Sequence, residues 1–299
     1  MRDYDVIINH ADGLHSTDDL IAMSAKADAI IPCHSEHFSE PVARHLDARL
    51  KIIANHSVGV DHCDLPALKA RGITITNTPD VLSDATAEIA MLLMLGAARR
   101  AVEGDTLVRQ GKWDFWSPSF MVGKQVSGAR IGIVGMGRVG QVMAKRARGF
   151  DMEVHYFNRN RLLEELENGA VFHDKIDDLL KVSDFLSLHC PATPQTTGMI
   201  NDDALALLPK GAVLVNTARG ALVNEPALLR AIESGQLSAA GLDCFAQEPG
   251  GNLEFSKHDN IFLLPHIGSA TTQTRDAMGF RALDNLDAFF AGKTPRDQL

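Results

Sequence analysis

The chain has 299 residues, of which 45% are hydrophobic and 22% charged, a composition typical of a soluble globular enzyme with about two domains. Its net charge of -9 argues against nucleic acid or an acidic membrane surface as the main partner, and no apolar run approaches the ~20 residues that a bilayer span requires. The N-terminus lacks the pattern of a signal peptide. Four scattered cysteines indicate reduced thiols in a cytoplasmic protein, with neither a disulfide framework nor a metal site.

Short apolar runs alternate with amphipathic segments in the first part of the chain. The runs predict strands at 6–8, 29–31, 51–54 and 73–75, and the segments predict helices at 18–26, from 41 onward and at 65–71. This alternation is typical of a mostly parallel sheet covered on both faces. A long helix follows at 84–100, with Ser83 or Asp84 as its N-cap. Because it is apolar nearly all round, we expect it to be buried between two domains or at a subunit interface.

A glycine fingerprint follows the next apolar run. Gly135 permits the tight turn, Gly137 lets backbone amides approach phosphate oxygens, and Gly140 allows the following helix to pack closely on the strand. The helix begins at Arg138, so the backbone at Arg138 and Val139 adds amide donors and partial positive charge. The sequence therefore predicts a dinucleotide pyrophosphate site in the middle of the chain.

Strand and helix signals continue to the end of the chain. Further strands are predicted at 154–157, 185–188, 213–215, 239–242 and 261–264, and a final helix at 271–291 that packs back on the first domain. We therefore predict an α/β fold of two doubly wound domains. A Rossmann nucleotide-binding domain spans 79–267, and a flavodoxin-like substrate domain spans 1–78 and 268–299. The crevice between them is the expected ligand site.

Three chemically capable residues lie just beyond the ends of late strands, where open α/β sheets assemble their sites. They are Arg219, Glu248 and His266. Each alone could be an ordinary loop residue. Together, and beside a dinucleotide turn, they indicate catalysis.

Several motifs occur in an order that matches a known family. They are Ser57-Val58-Gly59-Val60-Asp61, Asn77-Thr78-Pro79-Asp80-Val81-Leu82, residues 135–140, Asn216-Thr217-Ala218-Arg219-Gly220, Leu242-Asp243 and Pro265-His266-Ile267-Gly268-Ser269. Over nearly the whole chain the sequence resembles the D-isomer-specific 2-hydroxyacid dehydrogenases, and most of all the NADPH-dependent glyoxylate/hydroxypyruvate reductases. The resemblance implies a homodimer with the long helix at the interface. Trp113 and Trp116 lie in a segment that can reach a neighbouring subunit's pocket in those reductases, with ordinary interface packing as the alternative.

The resemblance also implies roles for residues outside the three. Backbone amides at Val58 and Gly59 would hold the substrate carboxylate. Asp243 would bond the nicotinamide carboxamide, although it could instead cap a helix or turn. Thr86 would face the cofactor near the reaction centre, or only stabilise the long helix.

The chemistry of 2-keto acid reduction fits these residues. It requires a hydride on the carbonyl carbon, which the nicotinamide supplies, and a proton on the carbonyl oxygen. His266 is the best proton donor because imidazole exchanges protons near neutrality. Glu248 on its other ring nitrogen would hold the tautomer and favour the imidazolium. Arg219 offers a planar donor fork for the substrate carboxylate and can polarise the keto oxygen.

The residues after the second strand of the nucleotide domain indicate which cofactor is used. An NAD-specific fold places Asp or Glu about 20 residues beyond the glycines to meet the adenosine ribose. Here Asn158 stands eighteen positions after Gly140 and is followed by Arg159 and Arg161, while Glu153 lies at the wrong end of the strand. A neutral amide followed by arginines attracts a 2′-phosphate, so the sequence predicts NADPH over NADH. Solvated loop charges are the alternative.

Other functions on this scaffold stay open. They are a D-lactate- or 3-phosphoglycerate-type NAD dehydrogenase and, from a different class, a nucleotide-sensing corepressor with the same three residues. The short C-terminus weakens the phosphoglycerate alternative, and formate dehydrogenases carry an amide where Glu248 stands. The preferred 2-keto acid and the physiological direction are left open. The chain begins near what looks like the family's second strand, so an exposed edge is expected in the first sheet.

Overall fold

The structure, a computed structural model, describes residues 4–11 and 13–299. The first three residues of the predicted substrate domain, and Asp12, lie outside the described residues. The chain divides into two compact units: one comprises the chain up to Val81 together with Thr272–Leu299, and the other is Leu82–Thr271. These divisions lie three or four residues from the boundaries expected from the sequence, 78/79 and 267/268.

Helices and strands alternate through both units. The helices are α1 (Thr17–Ser24), α2 (Glu40–His45), α3 (Leu65–Ala70), α4 (Ser83–Ala98), α5 (Ala101–Arg109), α6 (Arg138–Arg148), α7 (Glu164–Glu167), α8 (Ile176–Val182), α9 (Asp202–Leu207), α10 (Glu225–Glu233) and α11 (Thr272–Phe290). The strands are β1 (Ala29–Ile30), β2 (Ile52–Ala54), β3 (Thr74–Thr76), β4 (Arg130–Val134), β5 (Glu153–Phe157), β6 (Val171–His173), β7 (Phe185–Leu188), β8 (Ala212–Asn216), β9 (Leu237–Leu242) and β10 (Ile261–Leu263).

The first unit is built on a parallel sheet of order β1-β2-β3. Residues of α1, α2 and α3 form one apolar cluster with Ile53 and Ile75 on one face of the sheet. On the other face, Ala282 and Leu286 of α11 pack with Ile52 and Ala54. The final helix therefore returns to the first sheet, as the sequence predicts.

The prediction of a strand at 6–8 is wrong. Val6, Ile7 and Ile8 lie outside regular secondary structure, and each is at least 60% exposed. A strand requires a hydrogen-bonded neighbour as well as an apolar run, and β1 pairs only with β2 among the described residues. The two-residue β1 is therefore one edge of this sheet, a short edge of the kind that limits unwanted pairing.

The second unit contains a seven-stranded parallel sheet of order β10-β9-β8-β7-β4-β5-β6. The chain runs outward from β4 to β6, returns to the centre, and runs outward again from β7 to β10. This reversal is the doubly wound Rossmann arrangement, with its ligand crevice expected at the carboxyl ends of β4 and β7. The sequence analysis missed β6, a three-residue edge strand whose Val171 is largely exposed and which therefore lacks a burial pattern.

Helix α4 belongs to the second unit, where Leu93 approaches β9 so closely that a Cβ added at Gly241 would lie 2.7 Å from the Leu93 Cβ. The predicted cap at Ser83 or Asp84 is wrong, because Leu82 occupies the N-cap position and no side chain caps the helix. Asp84 instead pairs with Arg146 of α6 at 2.9 Å. No helix in the described ranges is long and apolar enough to cross a membrane.

Candidate active site

The glycine turn after β4 gives each glycine a distinct steric requirement. Gly135 has a φ of +94°, and a Cβ there would lie 2.6 Å from the backbone nitrogen of Cys190. A Cβ at Gly140 would lie 2.2 Å from the carbonyl oxygen of Gly135. By contrast, a Cβ at Gly137 would meet nothing within 4 Å. The turn thus combines a left-handed residue, an open position where a ligand can approach, and a close packing contact between helix and strand.

The first turn of α6 follows this glycine turn directly. The helix begins at Arg138, and Gly137 at its N-cap has no side chain with which to cap the first amides. The backbone around Arg138 and Val139 therefore provides amide donors and the positive end of the helix dipole. This arrangement fits a dinucleotide pyrophosphate.

His266 and Glu248 form the closest acid–base pair at the carboxyl edge of the sheet. His266 lies beyond β10 and Glu248 beyond β9, and the His266 Nδ1 is 2.5 Å from the Glu248 Oε2. Their side chains are 27% and 24% exposed, so solvent reaches both groups. The other carboxylate oxygen of Glu248 accepts a hydrogen bond from the Phe245 amide at 2.7 Å. Because Nδ1 is bound by the carboxylate, Nε2 is the ring nitrogen that can exchange a proton with a reactant.

The loop that carries His266 is held by a buried carboxylate. Asp243 is fully buried, and its two oxygens accept hydrogen bonds from the amides of Ile267 and Gly268, each at 2.8 Å. Burial raises the pKa of Asp243. His266 itself has a φ of +53°, a conformation that is rare for residues other than glycine and that clusters at functional sites. Asp243 therefore caps this turn, and each oxygen retains a lone pair that could accept a carboxamide proton.

A second acidic residue, missed by the sequence analysis, fixes the loop that carries Glu248. The Glu225 carboxylate at the start of α10 accepts hydrogen bonds from the Ala246 amide at 2.8 Å and from the Asn252 side-chain amide at 3.0 Å. These two donors lie on either side of Glu248 in the chain.

Arg219 lies on the loop after β8, the strand next to β9. The Asn216 side chain donates to the Arg219 carbonyl at 2.8 Å, and the guanidinium donates to the Ala218 carbonyl at 2.7 Å. A Cβ at Gly220 would lie 1.8 Å from the carbonyl carbon of Phe245, so this loop packs directly on the one that carries Glu248. Since β8, β9 and β10 are neighbours in the sheet, the structure brings together the three loops of Arg219, Glu248 and His266.

His189 is a further titratable residue at this edge, and the sequence analysis did not identify it. It follows β7, with its Nε2 2.8 Å from the Ser187 hydroxyl and its Nδ1 3.5 Å from the Thr217 hydroxyl. The surrounding protein lowers the pKa of His189 to about 4, because burial disfavours the charged ring. The ring is therefore neutral at physiological pH. Its position just beyond a strand at the reversal of the sheet was the available signal.

The two arginines of the loop after β5 have different hydrogen-bond partners. The Asn158 side-chain amide donates to the Asn160 carbonyl at 3.0 Å and closes the turn. Arg159 is exposed on this turn, and the structure shows it no ion-pair partner within the described residues. Arg161 donates to both oxygens of Glu167, at 2.8 and 2.9 Å. This pairing differs from the expectation that both arginines are available to a phosphate.

The remaining predicted residues lie in both units. Thr86, in the first turn of α4, is buried beside the His266 loop, since a Cβ at Gly268 would lie 3.4 Å from its methyl group. In the first unit, the carbonyl of Val58 accepts a hydrogen bond from the Asn77 side chain, and that of Gly59 accepts one from the Ser57 hydroxyl. These bonds hold the loop in place and leave its amides as the groups that could bind a carboxylate.

Comparisons with known proteins agree with this geometry. Residues 91–268 match the model of the D-isomer specific 2-hydroxyacid dehydrogenase NAD binding domain. A glycerate dehydrogenase of Hyphomicrobium methylovorum is 44% identical over 291 residues, covering 97% of this chain and 90% of the relative. A glyoxylate reductase of Pyrococcus horikoshii is 43% identical, covering 92% of this chain and 84% of the relative.

Among solved structures, one similar protein is the NADPH-dependent glyoxylate/hydroxypyruvate reductase of Sinorhizobium meliloti, determined in complex with NADP and malonate. It has a TM-score of 0.85 and 31% identity, and the match covers 95% of this chain and 87% of that one. The family model spans more than half of the sequence, and the curated relatives extend over nearly all of it. The chain belongs to the D-isomer-specific 2-hydroxyacid dehydrogenase family.

Proposed function

We propose that the protein reduces small 2-keto acids with NADPH, glyoxylate to glycolate and hydroxypyruvate to the D-2-hydroxy acid. The pair of His266 and Glu248, 2.5 Å apart beside the Arg219 loop, is the observation that carries this proposal. In the balanced reaction the keto acid, NADPH and one proton give the hydroxy acid and NADP. Reduction of hydroxypyruvate yields glycerate, so reductase and glycerate dehydrogenase relatives correspond to the two directions of one reaction.

Each side chain has a task that follows from its surroundings. His266 donates the proton to the keto oxygen through Nε2, while Glu248 holds Nδ1 and stabilises the charged ring. Arg219 binds the substrate carboxylate with its planar guanidinium and polarises the carbonyl. The amides of Val58 and Gly59 are also assigned to substrate binding. The cofactor, when bound, supplies the hydride. We assign cofactor binding, together with Arg219 and His266, to the second unit, and the substrate-binding amides of Val58 and Gly59 to the first.

The preference for NADPH rests on the loop after β5. Asn158 stands where an acidic residue would accept hydrogen bonds from the ribose, so no carboxylate at that position repels a 2′-phosphate. Arg159, exposed on the same turn, supplies the positive charge. One charge-assisted contact to phosphate contributes about 1.5–3 kcal/mol, which corresponds to a preference of tenfold or more. The reductase of Sinorhizobium meliloti, which is described as NADPH-dependent, supports this assignment.

Initial-rate kinetics with a panel of short 2-keto acids and both cofactors test the proposal. We expect turnover of glyoxylate and hydroxypyruvate, with kcat/KM for NADPH at least about tenfold above that for NADH. Absence of turnover with every 2-keto acid and either cofactor would reject the reductase and favour a nucleotide-sensing protein. Equal or better use of NADH would reject only the cofactor preference.

We also propose that the protein is a homodimer formed by the segment from α5 to residue 122. Helix α5 buries none of its residues within the described chain. It is followed by a group of exposed apolar side chains, Trp113, Phe115, Trp116 and Val122. An exposed apolar patch of this size is typical of a protein interface. Light scattering should give twice the mass of the chain, and Val108→Glu on α5 should lower it. Val171→Glu on β6 is the matched control, and an unchanged mass in Val108→Glu would contradict this interface.

The location we propose is the cytoplasm. All four cysteines are thiols rather than disulfides in the structure, which describes each of them. Thiols persist in the reducing cytoplasm.

A further inference from the structure

We propose that Glu167 is a specificity-determining residue that withholds Arg161 from the cofactor, so that Arg159 alone provides the positive charge facing a 2′-phosphate. The inference rests on the proposed binding of a dinucleotide at the glycine turn. It concerns a carboxylate to which sequence reasoning gave no role, and it changes the assignment of one of the two arginines.

The first step is the geometry of the Glu167 carboxylate. Its side chain is 7% exposed, yet it belongs to the short surface helix α7. One oxygen accepts hydrogen bonds from Arg161 Nε at 2.8 Å and from the Tyr156 hydroxyl at 2.5 Å. The other oxygen accepts from Arg161 Nη2 at 2.9 Å. These donors lower the pKa of Glu167 to about 2, so the group is a carboxylate throughout the physiological range.

The second step is the rigidity of this arrangement. Tyr156 is fully buried in β5, and its hydroxyl also accepts a hydrogen bond from the Leu162 amide at 3.1 Å. The Arg161 guanidinium lies 5.7 Å from the centre of the Phe172 ring, within range of a cation–π contact. Arg148 donates to the Glu167 carbonyl at 2.8 Å and fixes the backbone of α7. The loop from β5 to α7 is therefore anchored on both sides of Arg161.

The third step compares the two possible anions for Arg161. If Arg161 moved away from Glu167, a bidentate ion pair would be broken. The largely buried carboxylate would then keep Tyr156 as its remaining hydrogen-bond donor. The Arg161 side chain is 61% exposed, so the cost falls on the carboxylate: Glu167 would keep a largely desolvated charge without its cationic partner. A phosphate at the exposed rim is screened by water and offers less in exchange. Arg161 therefore stays with Glu167.

Arg159 is in the opposite situation. It is exposed on the turn closed by Asn158 and bears no ion pair within the part of the chain that the structure describes. The Arg161–Glu167 pair adds no net charge to the loop, so the local positive charge there comes from Arg159. Removal of Arg159 and removal of the whole Arg161–Glu167 pair should consequently have unequal effects on binding of a 2′-phosphate.

Binding of adenosine fragments to the full-length protein measures this directly. We would titrate 2′,5′-ADP and 5′-AMP by calorimetry and take the ratio of their affinities, which isolates the 2′-phosphate. Arg159→Ala should lower the ratio about tenfold, the effect of losing one charge-assisted contact, whereas removing both members of the neutral pair, in Arg161→Gln/Glu167→Gln, should change it by less than about twofold. Glu167→Gln removes the competing charge and frees Arg161. It should raise the ratio by about three- to tenfold.

A double variant separates charge from folding. Glu167→Gln combined with Arg161→Gln keeps polar side chains at both positions while removing both charges, and it should retain the wild-type ratio. It also serves if either single variant of the pair fails to fold, because Arg159→Ala in that background should still lower the ratio. Thermal melting of each variant reports its folding.

Two results would overturn the inference. One is a fall in the ratio for Arg161→Gln/Glu167→Gln as large as that for Arg159→Ala. The other is an unchanged ratio in folded Glu167→Gln. Failure of the proposed cofactor preference gives a different signature, a wild-type protein that binds 5′-AMP better than 2′,5′-ADP. The change caused by Glu167→Gln is measured relative to wild type and tests Glu167 in either case.

Discussion

The two ends of the nucleotide unit both contain a carboxylate paired with a cationic side chain, but the pairs have opposite consequences. At the carboxyl edge of β9 and β10, Glu248 binds Nδ1 of His266, and our proposal assigns proton transfer to Nε2. Beyond β5, Glu167 engages two nitrogens of Arg161 and withdraws that arginine from other anions. In the two proposals above, the same kind of interaction thus prepares one group for chemistry and removes another from binding. The difference lies in how many nitrogens of the cationic side chain the carboxylate binds: one in His266 and two in Arg161.

The largest effect should come from removing the proton donor at the reaction end. His266→Gln keeps a polar side chain but cannot exchange a proton near neutrality, so kcat should fall by about 10²- to 10⁴-fold. Affinity for NADPH, measured by fluorescence titration, should stay within about twofold because the glycine turn is untouched. His258→Gln, placed just before β10 instead of after it, is the matched control. Loss of cofactor binding together with turnover would assign His266 a structural role instead.

A smaller effect should follow from removing the partner of His266. Glu248→Gln retains the side-chain shape but loses the charge that stabilises the protonated ring. We expect kcat to fall by about 10- to 100-fold, with KM for the keto acid changed much less. Glu254→Gln, an exposed residue that pairs with Lys257, is the control. If Glu248→Gln turned over at the wild-type rate, the 2.5 Å contact would have no part in catalysis.

In the loop after β5, where we place the adenosine 2′-phosphate, a substitution should change KM for the cofactor rather than kcat. Arg159→Ala removes a contact made equally in the ground state and the transition state, so KM for NADPH should rise about tenfold while kcat is unchanged. The KM of the Arg159→Ala variant for NADH should equal that of the wild type, because NADH has no 2′-phosphate. A fall in kcat would contradict the separation of the two ends.

Local sequence signals predicted much of this molecule. The glycine turn could be foreseen because the steric needs of Gly135 and Gly140 are set by neighbours close in the chain or on the adjoining strand. The parallel sheet of the second unit could be foreseen because buried strands appear as continuous apolar runs. The identity of Arg219, Glu248 and His266 as neighbours followed from their positions at strand ends.

Other features depended on tertiary contacts that the sequence does not encode locally. The run at 6–8 is apolar enough for a strand but has no partner in the sheet. Arg161 carries the same charge as Arg159, and although Glu167 and Tyr156 lie only five or six positions away in the chain, the sequence does not show that they are buried and bonded to one another. Likewise, Glu225 holds the Glu248 loop through residues 21 and 27 positions away in the chain. In each case the sequence showed the chemical type of the side chain, whereas it did not show the structural partner.

The smallest predicted effect concerns His189, which lies at the reversal of the sheet between the two ends. Its folded-state pKa of about 4 is below the value of about 6.5 in an unfolded chain, so the unfolded state takes up the proton first as pH falls. Stability from this residue is therefore constant above about pH 6.5, declines between pH 6.5 and 4, and levels off below that. Because the residue is partly exposed, the loss between pH 7.5 and 4.5 should be on the order of 1–2 kcal/mol. Denaturant titrations of wild type and His189→Gln at both pH values measure it. The variant should lose less stability on acidification, and parallel losses in the two proteins would show that His189 is not the group responsible.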